Sequence, residues 1–176
     1  MAARGSEFIG TMAVQERHRF DEASLQRFME RSVEGFRPPL KVEQFRGGQS
    51  NPTYRLTDGN GTQYVLRRKP PGKLLPSAHA VDREFRVISA LYPTPVPVAR
   101  PYALCEDDSV IGTAFYIMSY VDGRVLWDPT LPNVPKEGRA AVYEAEIDVI
   151  AALHSVDYKA VGLEDFGRPG NYVARQ

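Results

Sequence analysis

The chain has 176 residues, of which 43% are hydrophobic and 25% charged, the balance of a globular protein that buries a core. Its 22 basic residues are matched by 22 acidic ones, which argues against a general nucleic-acid binder, whose footprint is a basic excess. A single cysteine, Cys105, excludes an intrachain disulfide, and no apolar run approaches the roughly 20 residues that span a bilayer.

Residues 1–14 open with MAARGSEFIGTM, which lacks the apolar core of a secretory signal. Gly5-Ser6-Glu7-Phe8 reads as a translated polylinker, so this segment is expected to be a disordered tail and a cloning scar. Asp21 to Phe36 has helical spacing of Leu25, Phe28, Met29, Val33 and Phe36, with Asp21 as N-cap and Pro38-Pro39 beyond its end. A short strand is predicted over Val42–Phe45. A hairpin follows, with arms Thr53–Thr57 and Gln63–Arg68 and a turn at Asp58-Gly59-Asn60-Gly61. The alternation puts Tyr54, Leu56, Tyr64 and Leu66 on one face and Val65 and Arg67 on the other.

Pro70-Pro71-Gly72 breaks the sheet, and a second helix is predicted from near Ser77 to Leu91, with Val81, Phe85 and Ile88 as its apolar stripe and Glu84 bordering it. Leu104 and the run Val110–Ser119 suggest a second hairpin turning at Glu106-Asp107-Asp108. Phe115–Val121 is apolar and rich in aromatics. A proline-rich connection over 127–135 leads to a third helix, from about Lys136 to Ser155, with Tyr143, Ile147, Ile150, Ala151 and His154 on one face. His154 reads as a residue of helix packing. Short hairpin connections imply an antiparallel sheet, hence an α+β fold.

The loop Gly47-Gly48-Gln49-Ser50-Asn51 lies between strands, where glycine lets a backbone approach phosphate oxygens. It is neither G-x-G-x-x-G nor a Walker loop, and taken alone it fits a tight bulged turn equally well. Arg67 on the hairpin and Glu84 on the next helix supply a cation and a carboxylate, an arrangement that kinase folds use beside nucleotide phosphates. Phe115-Tyr-Ile-Met-Ser-Tyr-Val-Asp-Gly, an apolar strand ending at Asp122-Gly123, suits a hinge whose backbone could meet adenine.

YVLR at 64–67 resembles the V-A-I-K strand of protein kinases. Taken in order, GGQSNPTY, YVLRRKPPG, REF, FYIMSYVDG, ALHSVD and GLEDFGRPG resemble the aminoglycoside phosphotransferase family. The branch is the one related to the phosphotransferase domain of certain acyl-CoA dehydrogenase family members. The resemblance covers residues 20–176. It implies a protein-kinase-like N-terminal lobe, a five-stranded antiparallel sheet with a packed helix, over residues 15–121. Residues 122–176 would be the hinge, connector and start of a truncated C-terminal lobe.

The resemblance also implies site roles. Gly47, Gly48, Ser50 and Asn51 would form a lid over the phosphates, Arg67 would face them, and Glu84 would pair with Arg67. Met118 would gate the adenine pocket, and the backbones of Ser119 and Val121 would bond the base. ATP or GTP would be the cofactor, with magnesium and a small-molecule hydroxyl acceptor in the complete protein. The catalytic loop and metal ligands would lie beyond Gln176, so neither catalytic nor metal-binding residues are expected in this chain, and alone it is expected to be inactive. A cytoplasmic location is expected, with no nucleic-acid or membrane partner and with self-association through the uncovered third helix. A non-catalytic nucleotide-binding or protein-interaction module stays open as the alternative.

Overall fold

The computed structural model describes residues 9–47, 51–72, 79–167 and Gly170. The hairpin forms where the alternation places it. Strand β3 (Thr53–Thr57) pairs with β4 (Gln63–Arg68), Tyr54 opposite Leu66 and Leu56 opposite Tyr64. Its turn is fixed by Asp58, whose Oδ1 accepts from the backbone N–H of Asn60 at 2.9 Å and of Thr62 at 2.8 Å. The turn also presses on the preceding segment. A Cβ at Gly59 would lie 2.3 Å from the Pro38 carbonyl oxygen, and the Gly59 N–H donates to the Arg37 carbonyl at 2.7 Å. Only glycine fits there.

The sheet has six antiparallel strands, one more than expected. The extra strand is β1 (Thr11–Met12), which pairs with β2 (Lys41–Phe45). The expectation of a disordered tail through residue 14 therefore fails from about Gly10 onward. Arg46 N–H donates to the Gly10 carbonyl at 3.1 Å, and Thr11 Oγ1 donates to Glu43 at 3.0 Å and accepts from Arg55 at 3.1 Å. The edge of β2 offered unpaired backbone groups, and this segment satisfies them. Beyond β4, the order is completed by β6 (Phe115–Ser119) and then β5 (Pro101–Cys105), giving β1-β2-β3-β4-β6-β5.

The second hairpin was also expected to turn directly into a strand at Val110. Instead Asp107 caps a one-turn helix, α3 (Asp108–Ile111), by accepting from Ser109 N–H at 2.9 Å, and β6 starts only at Phe115. Local capping by an Asp side chain outweighs the β-propensity of Val110 and Ile111 here.

Helices lie on both faces of the sheet. Helix α1 (Glu22–Ser32) starts at the predicted cap, Asp21 accepting from Ser24 N–H at 2.9 Å. It ends earlier than predicted, although Val33 and Phe36 stay buried just past it. Its Leu25 and Met29 meet Tyr54, Leu56, Tyr64, Leu66, Phe115 and Ile117 in the main core. Helix α2 (Val81–Leu91) covers the opposite face, where Val81, Phe85 and Ile88 cluster with Tyr116 and Met118. Its predicted start near Ser77 lies outside the described residues. Cys105 is a buried free thiol, and burial raises its pKa.

Helix α4 (Lys136–His154) has no buried residue. Tyr143, Ile147, Ile150 and Leu153 are all exposed. His154 is exposed too, so it does not pack as expected. No helix among the described residues is long and apolar enough to cross a membrane.

Candidate functional site

Sheet register builds the site. Thr53 stands opposite Arg67, and Arg67 opposite Tyr116, so three neighbouring strands place one row of polar side chains on the α2 face. Two residues along the same face lies a second row, Arg55, Val65 and Met118. The first row is polar and anchored to α2. The second flanks open space.

Glu84 of α2 gathers the first row. Its Oε2 accepts from Arg67 Nε at 2.7 Å and from the Tyr116 hydroxyl at 3.1 Å. Its Oε1 accepts from Asn51 Nδ2 at 3.0 Å and, more weakly, from Arg67 Nη2 at 3.5 Å. Four donors converge on one carboxylate, which fixes its rotamer. Burial and the adjacent Glu84 charge raise the Tyr116 hydroxyl pKa, so it remains a donor.

Arg67 Nη1 also donates to Thr53 Oγ1 at 3.3 Å. Three of its five N–H groups are thus used internally, leaving two terminal donors for a ligand. The guanidinium is held by Glu84 while 29% of its side chain remains accessible. A planar fork presented in this way matches phosphate or carboxylate oxygens.

An apolar cavity of about 400 Å³ lies past Thr53, the residue that accepts from Arg67, without Arg67 itself in its wall. Phe45, Gly47, Val65, Met118, Val121 and Trp127 contribute to its walls. A second cavity, about 680 Å³, lies under α2 between Arg67, Glu84, Tyr116 and Met118. Met118 lines both and separates them.

The predicted residues fall as follows. Arg67 and Glu84 meet. Gly47, Met118, Ser119 and Val121 line the apolar cavity. Gly48 and Ser50 lie outside the described residues. Asn51 is at the site, only 3% exposed, but its amide is engaged by Glu84 and by His79, whose Nδ1 lies 2.6 Å from Asn51 Oδ1. Because Nδ2 donates to Glu84, Oδ1 accepts, which makes His79 the donor. The Asn51 side chain turns toward the Glu84 carboxylate.

Sequence reasoning missed Tyr116, Thr53 and His79. The first two were reachable, since both share a face with Arg67 once the register is known. His79 was not, because its contact depends on a left-handed backbone (φ 59) that brings it back over Asn51. Among the described residues no group of three His, Cys, Asp or Glu side chains is placed to hold a metal ion.

Comparison with known proteins agrees with this architecture. The model of the phosphotransferase enzyme family matches residues 41–176. Acyl-CoA dehydrogenase IBR3 of Arabidopsis thaliana is 54% identical over 93% of this chain. Acyl-CoA dehydrogenase family member 11 of Gallus gallus is 48% identical over 95% of it. This chain spans only 21% and 22% of those two relatives. The crystal structure of an aminoglycoside phosphotransferase-like protein from Ralstonia eutropha superposes with a TM-score of 0.77 at 54% identity, covering 89% of this chain and 45% of that one. An α+β fold, an antiparallel sheet flanked by helices in kinase-like arrangement, and a family match over most of its length lead to one conclusion: the chain belongs to the phosphotransferase enzyme family.

Proposed function

We propose that this chain forms the nucleotide-binding part of a phosphotransferase that moves the terminal phosphoryl group of ATP or GTP to a hydroxyl of a small molecule. One observation carries the reading. A guanidinium, Arg67, is pinned by Glu84 with two donors left over, and its neighbours Thr53 and Met118 line an apolar cavity whose volume suits a small-molecule site. In this reading Val65, Met118 and the other apolar walls cover the faces of the base. Backbone groups of Ser119 and Val121 meet its edge. Gly47 offers a backbone N–H group to the phosphates. Asn51 acts indirectly, by orienting Glu84.

Residues 15–121 would then be the nucleotide lobe, with the hinge following at Asp122-Gly123. Magnesium, when bound to the complete protein, neutralises charge on the phosphates. The described residues of this chain offer no cluster to ligate it, and we place its ligands and the carboxylate that orients the attacking hydroxyl in the part of the family fold that this chain does not span. What this chain does is bind, orient and exclude water from the nucleotide.

The test is a calorimetric titration of the purified chain with Mg-ATP and Mg-GTP. Saturable binding of one of them with unit stoichiometry is expected. Absence of binding at millimolar nucleotide would refute the proposal and favour a protein-interaction module, for which the exposed Tyr143, Ile147 and Ile150 of α4 are the natural surface.

A further inference from the structure

Helix α2 carries Glu84 but is weakly anchored on its own. No side chain caps its N-terminus at Ala80, and only one face of it meets the sheet. Asp82 at its start pairs loosely with Lys69 at 3.9 Å, and further contacts come from far along the chain. Arg83 Nη2 donates to the Phe166 carbonyl at 2.7 Å, and its guanidinium lies 4.1 Å from the centre of the Phe166 ring. Arg86 Nη2 donates to the Gly162 carbonyl at 2.8 Å and forms an ion pair with Asp165. The partners are 76 to 83 residues apart in sequence. Arg83 and Arg86 sit one turn apart, so they project from one side of the helix and grip the 162–166 segment at two points.

We infer that Gly162–Phe166 is a clasp that holds α2 in place through Arg83 and Arg86, and so keeps Glu84 seated on Arg67. Phe166 adds a wall to the cavity that Arg67, Glu84 and Met118 share, so the clasp and the cation border the same space. Asp165, Phe166, Arg83 and Arg86 are positioning residues in this role. The ion pair is exposed, 42% for Arg86 and 71% for Asp165, and alone such a pair does little. Its strength lies in number. A cation over a ring, two bonds to carbonyls and the charge pair close on one helix, and each arginine fork is rigid once its first bond forms.

The nucleotide arm of the test rests on the proposed function; the other two arms do not. In the full chain without nucleotide, hydrogen exchange is followed at the α2 amides, and the Arg67 Nε–H is followed by NMR. The variants are Arg86→Ala, Asp165→Asn, Arg86→Asp, and the charge swap Arg86→Asp with Asp165→Arg. Arg86→Ala and Asp165→Asn are each expected to speed exchange across Val81–Leu91 and at Arg67 Nε–H about threefold, the scale of an exposed charged contact. Arg86→Asp alone, which sets two carboxylates together and gives up the bond to the Gly162 carbonyl, should exceed that, and the swap, which restores the charge pair, is expected to bring exchange back below the value of Arg86→Asp. Mg-ATP affinity should fall in the same order and by a similar factor. Unchanged exchange in both Arg86→Ala and Asp165→Asn, or a swap that exchanges no more slowly than Arg86→Asp alone, would overturn the clasp. Faster exchange at α2 and Arg67 with Mg-ATP affinity intact would support the clasp and count against the nucleotide reading of the site.

Discussion

Glu84→Ala is expected to weaken Mg-ATP binding more than any other substitution on α2. Four hydrogen bonds end on this carboxylate, from Arg67 twice, Tyr116 and Asn51. Removing it strands the Tyr116 hydroxyl, 2% exposed, and the Asn51 amide, 3% exposed, where water reaches them poorly. It also frees Arg67 to rotate away from the site. Glu84 itself is 34% exposed, so solvent recovers part of the loss, and a destabilisation of about 1–3 kcal/mol is expected. Affinity for Mg-ATP should fall by roughly tenfold or more, the equivalent of about 1.4 kcal/mol. Denaturant unfolding and calorimetric titration of the same variant read the two effects separately. Glu84→Gln keeps the shape but sets an NH2 group against donors, so it should lie between alanine and wild type.

The largest effect on stability is expected at Phe115. Its ring is fully buried, packs edge-on against Phe28 at 5.1 Å, and sits in the core shared by α1 and the sheet. Phe115→Ala leaves a cavity that neither α1 nor the sheet can close without breaking register, and a loss of about 3–5 kcal/mol is expected. Against a typical total of roughly 5–15 kcal/mol this is a large share, visible as a fall in melting temperature on the order of 10 °C. The consequence reaches the site, because β6 carries Phe115 on the α1 face and Tyr116 and Met118 around and beyond it. Val121→Ala makes a useful contrast. Val121 is 66% exposed, and its stability should change by no more than about 0.5 kcal/mol.

Much of this was legible in the residues. The hairpin was readable because Tyr54, Leu56, Tyr64 and Leu66 alternate across a turn that Asp58 and glycine stabilise, and two-residue periodicity fixes which face is buried. The pairing of Arg67 with Glu84 was implied by the family resemblance, with strand facing and helical phase consistent with it. The failures have a common cause, in that each depends on a partner distant in sequence. Thr11–Met12 is a strand only because the β2 edge needs one; nothing in those two residues says so. The bond from the Asn51 amide to the Glu84 carboxylate, 33 residues away, was equally invisible in the residues themselves. Tyr116 belongs to the site only by virtue of the register that sets β6 beside β4. The contacts of Arg83 and Arg86 become visible only when the 162–166 segment is seen against them.

The central claim is that Arg67 meets the phosphates while the apolar cavity holds the base. It is tested most directly by titrating ATP and adenosine, each into wild type and Arg67→Ala, with unfolding measured alongside to verify that the variant is folded. The account predicts that Arg67→Ala loses ATP affinity by roughly tenfold, as expected for a charged hydrogen-bond donor pair, while adenosine binds it nearly as well as it binds wild type. Equal losses for the two ligands, or an ATP affinity untouched by the substitution, would contradict it.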